Sequence, residues 1–204
     1  MNDRKLVLIL GGARSGKSSL AEELASRLAG EGEVLFVATA QAGDDEMRER
    51  IAEHRRRRPA SWRTLEEPRQ LGPAIAESAG GARVVLVDCV TLWLANLLLA
   101  DSPDGESVPP EAGELALAEV DALLAAHRAG SAAFVVVSNE VGLGLVPPYP
   151  LGRVYRDLLG RANQRLAAAA DEVYFLVAGL PVELKALSRS YGLGEGGTWP
   201  GRGV

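Results

Sequence analysis

Residues 11–18 read Gly11-Gly12-Ala13-Arg14-Ser15-Gly16-Lys17-Ser18, the G-x-x-x-x-G-K-S spacing of a phosphate-binding P-loop. Glycines let the backbone bend so that successive N–H groups converge on phosphate oxygens. Lys17 then reaches the β- and γ-phosphates, and the Ser18 hydroxyl can hold Mg²⁺. A second candidate is Asp88, which closes the apolar run Val84-Val85-Leu86-Val87. An acid at the end of such a strand supports the metal of a P-loop enzyme, directly or through water. The third is His54, which four arginines follow, Arg55, Arg56, Arg57 and Arg58. Helical spacing puts Met47, Ile51, His54 and Arg58 on one face. Taken alone, a histidine there is a boundary residue and the arginines complement a helix dipole. Beside a P-loop, a neutral imidazole nitrogen can instead attack phosphorus while guanidinium groups neutralise the phosphoryl oxygens.

The P-loop needs a strand before it and a helix after it, so that the helix N-terminus adds its N–H groups to the anion site. Leu6-Val7-Leu8-Ile9-Leu10 is short and wholly apolar, as a buried parallel strand is. Residues 18–28 follow as a helix with Leu20, Leu24 and Leu28 on one face. Further strands are predicted over 33–38, 83–88, 132–138 and 173–177, and helices over 43–57, 68–79, 91–100, 111–128 and 151–170. That alternation predicts an α/β fold, a mostly parallel sheet with helices on both faces. The polar stretch 101–113 reads as an exposed loop and the Gly-rich stretch 188–204 as a loosely held tail, leaving residues 1–187 as the one folded domain.

The chain has 204 residues and a net charge of −5, which argues against a nucleic-acid-binding surface. Its 47% hydrophobic and 24% charged content is that of an ordinary globular protein. No apolar run reaches the length of a membrane span, and no signal peptide precedes the first strand, so a cytoplasmic location is expected. The single cysteine, Cys89, reads as a buried, inert thiol. His127, at the end of a predicted helix, reads as a dipole partner. No Asn-Lys-x-Asp motif for guanine is present.

Taken in order, further segments carry a resemblance. They are Ala38-Thr39-Ala40-Gln41, Asp44-Asp45-Glu46-Met47, Arg50-Ile51-x-x-His54-Arg55, Trp62-Arg63-Thr64-x-Glu66, Asn139-Glu140-Val141-Gly142-x-Gly144-x-Val146-Pro147, and the run from Gly160 to Val173. With the P-loop they resemble the bifunctional adenosylcobinamide kinase / adenosylcobinamide-phosphate guanylyltransferase family of cobalamin biosynthesis, from about Leu6 to Lys185. The resemblance implies a P-loop NTPase of RecA-like shape using GTP, ATP and Mg²⁺. It implies phosphoryl transfer to adenosylcobinamide, then GMP transfer from GTP to adenosylcobinamide phosphate through a GMP-histidine. That histidine falls on His54, with Lys17 also catalytic. Nucleotide contacts fall on Gly11 to Ser18, Ala38, Thr39, Ala40, Arg55 to Arg58, Glu66 and Asp88, and the metal on Ser18 and Asp88. Glu66 suits guanine, since a carboxylate accepts from both N1–H and N2–H₂. Because the P-loop cradles β- and γ-phosphates while His54 must meet the α-phosphorus, the helix of His54 moves or GTP takes a second pose. A homotrimer is implied as well. The alternative reading is a single-activity small-molecule kinase without guanylyl transfer, and a nucleotide-dependent switch is a third.

Overall fold

The structure, a computed structural model, describes residues 4–41, 49, 56, 58–100 and 108–192. Seven strands form one sheet: β1 (Leu6–Gly11), β2 (Glu33–Ala38), β3 (Arg63–Glu66), β4 (Ala82–Asp88), β5 (Ala133–Val137), β6 (Glu172–Val177) and β7 (Leu180–Glu183). Their order is β3-β2-β4-β5-β1-β6-β7, and every neighbouring pair is parallel except β6 with β7. One strand, β5, lies between the P-loop strand and the strand that ends in Asp88, a RecA-like arrangement. Among the described residues the helices with defined ends are α1 (Lys17–Ala29), α2 (Leu71–Ser78), α3 (Val90–Leu99), α4 (Ala112–Ala129), α5 (Pro150–Ala169) and α6 (Leu184–Ser190).

The central strands are apolar throughout because both faces are covered. Leu6, Leu8 and Leu10 of β1 enter one core with Leu35 and Val37 of β2 and Val85 and Val87 of β4. Val7 and Ile9 enter the other with Val34, Phe36, Val84 and Leu86. The first core is large and takes Leu71, Ile75, Trp93, Leu94, Val120, Leu159 and Leu166 from helices α2 to α5. On the opposite face α1 packs through Ala21, Ala25 and Ala29, while Leu20, Leu24 and Leu28 lie partly buried at its flanks. The leucine stripe expected to face the core is therefore displaced by an alanine stripe. Small side chains bring the helix axis close to the sheet, which holds the helix start beside the loop that precedes it. A Leu at Ala21 or Ala25, both 0% exposed, would overpack this face at about 1–3 kcal/mol.

The expected strands, and the expected helices other than that over 43–57, are present with ends shifted by no more than three residues, and 101–107 lies outside the described residues. Of the helix expected over 43–57, only Glu49 and Arg56 are described; both are helical and exposed. Three elements were not expected: β3, β7 and α6. Strand β3 is mostly exposed, with no apolar alternation to reveal it. Strand β7 carries Pro181 and is an edge strand, where a missing N–H is tolerated. It returns from β6 through Ala178 (φ 51°) and Gly179 (φ 82°). Two central residues with positive φ suit the right-handed twist of a hairpin. Helix α6 starts where the Glu183 carboxylate accepts from the N–H groups of Lys185 (3.0 Å) and Ala186. It runs through Ser190, three residues into the stretch expected to be a tail; residues 193–204 lie outside the described residues.

Candidate nucleotide site

Strand β1 delivers the chain to the carboxyl edge of the sheet at Gly11, where a side chain cannot fit. A Cβ on Gly11 would lie 2.7 Å from the Leu176 carbonyl oxygen and 2.8 Å from Ser15 Oγ. Gly16 caps α1 with φ 96°, a left-handed conformation that side chains resist. Arg14 takes a positive φ of 56° without being glycine. The β6–β7 turn braces the loop from outside, Gly179 N donating to Ser15 O at 3.2 Å. Ser15 is buried, and its Oγ has no hydrogen-bond partner among the described residues. A buried hydroxyl within a P-loop is a donor suited to a phosphate oxygen.

Lys17 opens α1 and is only 8% exposed, its Nζ donating to Gly12 O at 2.5 Å. Burial lowers its pKa, while the Cys89 and Asp88 charges oppose that shift. The cation and the Asp88 carboxylate thus share one pocket edge. Ser18 follows on the first turn, half-buried. Among the described residues no group of three or more His, Cys, Asp or Glu side chains could hold a metal. Mg²⁺ takes one or two protein oxygens and fills its shell with water and phosphate. Ser18 and Asp88 are oxygen donors of that kind.

Strand register connects the remaining residues. Glu66 pairs with Ala38, Ala38 with Asp88, Asp88 with Val137, and Val137 with Ile9. Glu66 therefore stands in one row with Asp88, about two strand spacings or roughly 10 Å away. It is about four spacings, roughly 19 Å, from the P-loop strand.

Thr39, expected to contact nucleotide, has its polar groups engaged by protein. Its Oγ1 donates to Cys89 O (2.8 Å) and accepts from Cys89 N (2.9 Å), its N–H meets Asp88 O (3.3 Å), and its carbonyl accepts from Asn96 Nδ2 (2.9 Å). Fully buried, it locks the end of β2 to the peptide after Asp88 and so positions the acid. Ala38 and Ala40 flank it, both half-buried. Arg58 lies with its guanidinium 3.2 Å from the centroid of the Phe36 ring, a cation–π contact over the α1-side core. It is not the freely solvated end of a helix. His54, Arg55 and Arg57 lie outside the described residues, and Arg56 is exposed.

Burial pushes the Cys89 thiol up to about 11, helped by the Asp88 charge, which agrees with an inert thiol. His127 departs from the dipole-partner reading. Its ring meets Phe134 edge-on at 4.9 Å, and burial lowers its pKa, which disfavours the charged form that a helix dipole would stabilise.

A polar network missed by sequence reasoning supports the far side of the P-loop. Buried Ser138 Oγ donates to Asn163 Oδ1 (2.7 Å), Asn163 Nδ2 to Asn139 O (3.0 Å), and Asn139 N to Thr91 Oγ1 (2.9 Å). Tyr155 OH donates to Thr91 O (2.9 Å), and Glu140 N to Gly11 O (3.1 Å). The signal lay in asparagines on otherwise apolar helix faces, Asn96 and Asn163, which demand buried partners. Asn96 also reaches Pro68 O (3.2 Å), so α3 is pinned to the chain just beyond the carboxyl ends of β2 and β3.

Comparison with known proteins agrees with this geometry. The profile of the family described as cobinamide kinase / cobinamide phosphate guanyltransferase matches residues 7–184. The chain is 51% identical over 183 residues to the bifunctional adenosylcobalamin biosynthesis protein CobP of Pseudomonas aeruginosa, covering 87% of this chain and 96% of that one. It is 44% identical to the bifunctional adenosylcobalamin biosynthesis protein CobU of Escherichia coli, covering 88% and 99%. Among solved structures, an ATPase domain superposes with a TM-score of 0.51 at 17% identity over 87% of this chain and 70% of that one. A DnaB-like replicative helicase does so with a TM-score of 0.51 at 16% identity, over 85% of this chain and 47% of that one. At those identities the likeness concerns the fold alone.

Proposed function

The chain belongs to the cobinamide kinase / cobinamide phosphate guanyltransferase family, and we propose that its second activity runs through a GMP-histidine at His54. It is a bifunctional enzyme of adenosylcobalamin biosynthesis. In the first reaction the P-loop N–H groups and Lys17 hold a nucleoside triphosphate, and the γ-phosphoryl passes to the hydroxyl of adenosylcobinamide. In the second, the imidazole of His54 attacks the α-phosphorus of GTP and expels pyrophosphate. The phosphate of adenosylcobinamide phosphate then displaces the histidine, giving adenosylcobinamide-GDP. Two displacements replace one, with ping-pong kinetics as their signature. Arg55, Arg56, Arg57 and Arg58 are proposed to neutralise charge at that phosphate, Glu66 to read guanine, and Ser18 with Asp88 to hold Mg²⁺, which would supply further neutralisation of phosphate charge there.

The observation that supports the nucleotide reading is the row Glu66–Ala38–Asp88–Val137–Ile9, in which the two acids proposed for base and metal stand in register with the P-loop strand. A cytoplasmic location is proposed too; among the described residues no helix is long and apolar enough to cross a membrane. A homotrimer is proposed, with partial support from exposed Val177, Leu180 and Val182 at the β7 edge, an apolar strip of the kind that self-association covers.

The test uses GTP labelled in the α-phosphate with Mg²⁺. Acid-labile, alkali-stable label is expected on the wild-type chain and absent from His54→Ala. Label retained on His54→Ala, or absent from wild type with nucleotide bound, would refute the assignment and favour a plain kinase.

A further inference from the structure

The turn from β5 to α5 leaves the P-loop wall directly: Glu140 N is bonded to Gly11 O. It then displays large apolar side chains to solvent, Leu143 at 80% exposure, Leu145 at 96% and Val146 at 65%. These are not the tips of a slack loop. Arg153 donates to both Pro147 O (3.1 Å) and Pro148 O (2.8 Å), and Gly142 N donates to the Glu140 carboxylate (2.6 Å). Gly152 is packed so closely that a Cβ there would lie 2.6 Å from the Tyr149 ring and 2.7 Å from Pro147 Cβ. The Ser138–Asn163–Asn139–Thr91 network fixes the base of the turn. Behind it, Leu98 and Leu99 of α3 face Tyr149, Leu151 and Tyr155 across an apolar pocket of about 200 Å³. Tyr155 of the pocket donates to Thr91 O, three residues after Asp88, and Glu140 N ties the turn to Gly11, so pocket and turn both connect to the edge that carries the P-loop and Asp88.

Fixed, outward-pointing apolar residues beside a catalytic edge mark a binding surface rather than a folding accident. We propose that the turn 141–149 and the pocket between α3 and α5 hold the corrin macrocycle of the acceptor, presenting its hydroxyl-bearing arm to the P-loop. This rests on the cobinamide reading of the site. The match is chemical: a corrin ring is a broad plate edged with methyl groups and amide arms. The pocket is too small for the ring and takes one edge of it, while Leu143, Leu145 and Val146 cover the adjoining face. The tyrosines supply apolar area with a polar tip for the amides.

The test is equilibrium dialysis with dicyanocobinamide, followed by its visible absorbance, on the full chain. Leu143→Gln/Leu145→Gln and Tyr149→Ser change exposed side chains. Each is expected to weaken cobinamide binding by about tenfold or more, the scale of losing one buried apolar side chain. GTP affinity and α-phosphate labelling of the chain stay as in wild type. Wild-type cobinamide affinity in both variants would overturn the proposal. A fall in native mass of the double variant would also overturn it, by making the turn a contact between copies of the chain. If the wild-type chain neither binds nor phosphorylates cobinamide, the functional reading itself fails, and the proposal with it.

Discussion

Replacing Thr39 by valine removes one hydroxyl from a side chain of nearly unchanged shape. Thr39 is 0% exposed, and its Oγ1 serves both the N–H and the carbonyl of Cys89. Valine leaves both peptide groups facing a methyl. An unsatisfied buried polar group costs about 1–3 kcal/mol, and the partial burial of this pair puts the sum at about 2–4 kcal/mol. Thr39→Ser keeps the hydroxyl and loses one methyl, about 1 kcal/mol. In urea unfolding followed by tryptophan fluorescence, a slope of about 2–3 kcal/mol per molar turns these into a midpoint drop of about 1 M for valine and less than half of that for serine. Residue 39 also positions the peptide after Asp88. Mg²⁺-dependent transfer therefore falls in Thr39→Val, measured without urea at a temperature where the variant is folded, and persists in Thr39→Ser. A valine variant no less stable than the serine one would refute the bridging role of the hydroxyl.

Lys17→Met is expected to abolish transfer while stabilising the nucleotide-free protein at neutral pH. Because the folded-state pKa of Lys17 is lowered from 10.5, the unfolded chain binds more protons between the two values, and wild-type stability rises with pH through that window. Thermal melts should therefore show the variant's advantage shrinking toward pH 10.5; a variant less stable than wild type at neutral pH would contradict this. For Glu183, burial pulls the pKa up, but the N–H groups of Val173, Ala186 and Lys185 and the Arg189 charge outweigh it and hold it below 4.5. The carboxylate stabilises the fold above that pH and stops doing so as pH falls through the folded value. Acid titration by circular dichroism should show this loss in wild type and a flatter profile in Glu183→Gln. Glu66→Gln is expected to cut the preference for GTP over ATP by about 10- to 100-fold, the worth of one charge-assisted hydrogen bond of about 1.5–3 kcal/mol. An unchanged preference in competition binding would take Glu66 away from the base.

The residue order alone determined the P-loop, the strand before it, the helix after it and the acid at the end of β4. Each of these is local: a turn that only glycine can make, a run of side chains buried on both faces, a charge placed where the run stops. The ordered motifs determined the family for the same reason, since chemistry needs given residue types at given places. Tertiary structure decided what depends on neighbours distant in the chain. Alanines rather than leucines of α1 face the sheet because close approach to β4 and β5 leaves no room for more. Strands β3 and β7 exist because an edge partner supplies hydrogen bonds that their own patterns do not announce. Thr39, read in sequence as a nucleotide contact, is consumed by the peptide of a residue fifty positions away. Glu66 and Asp88 share a row only because β2 lies between their strands, a register that no spacing along the chain encodes.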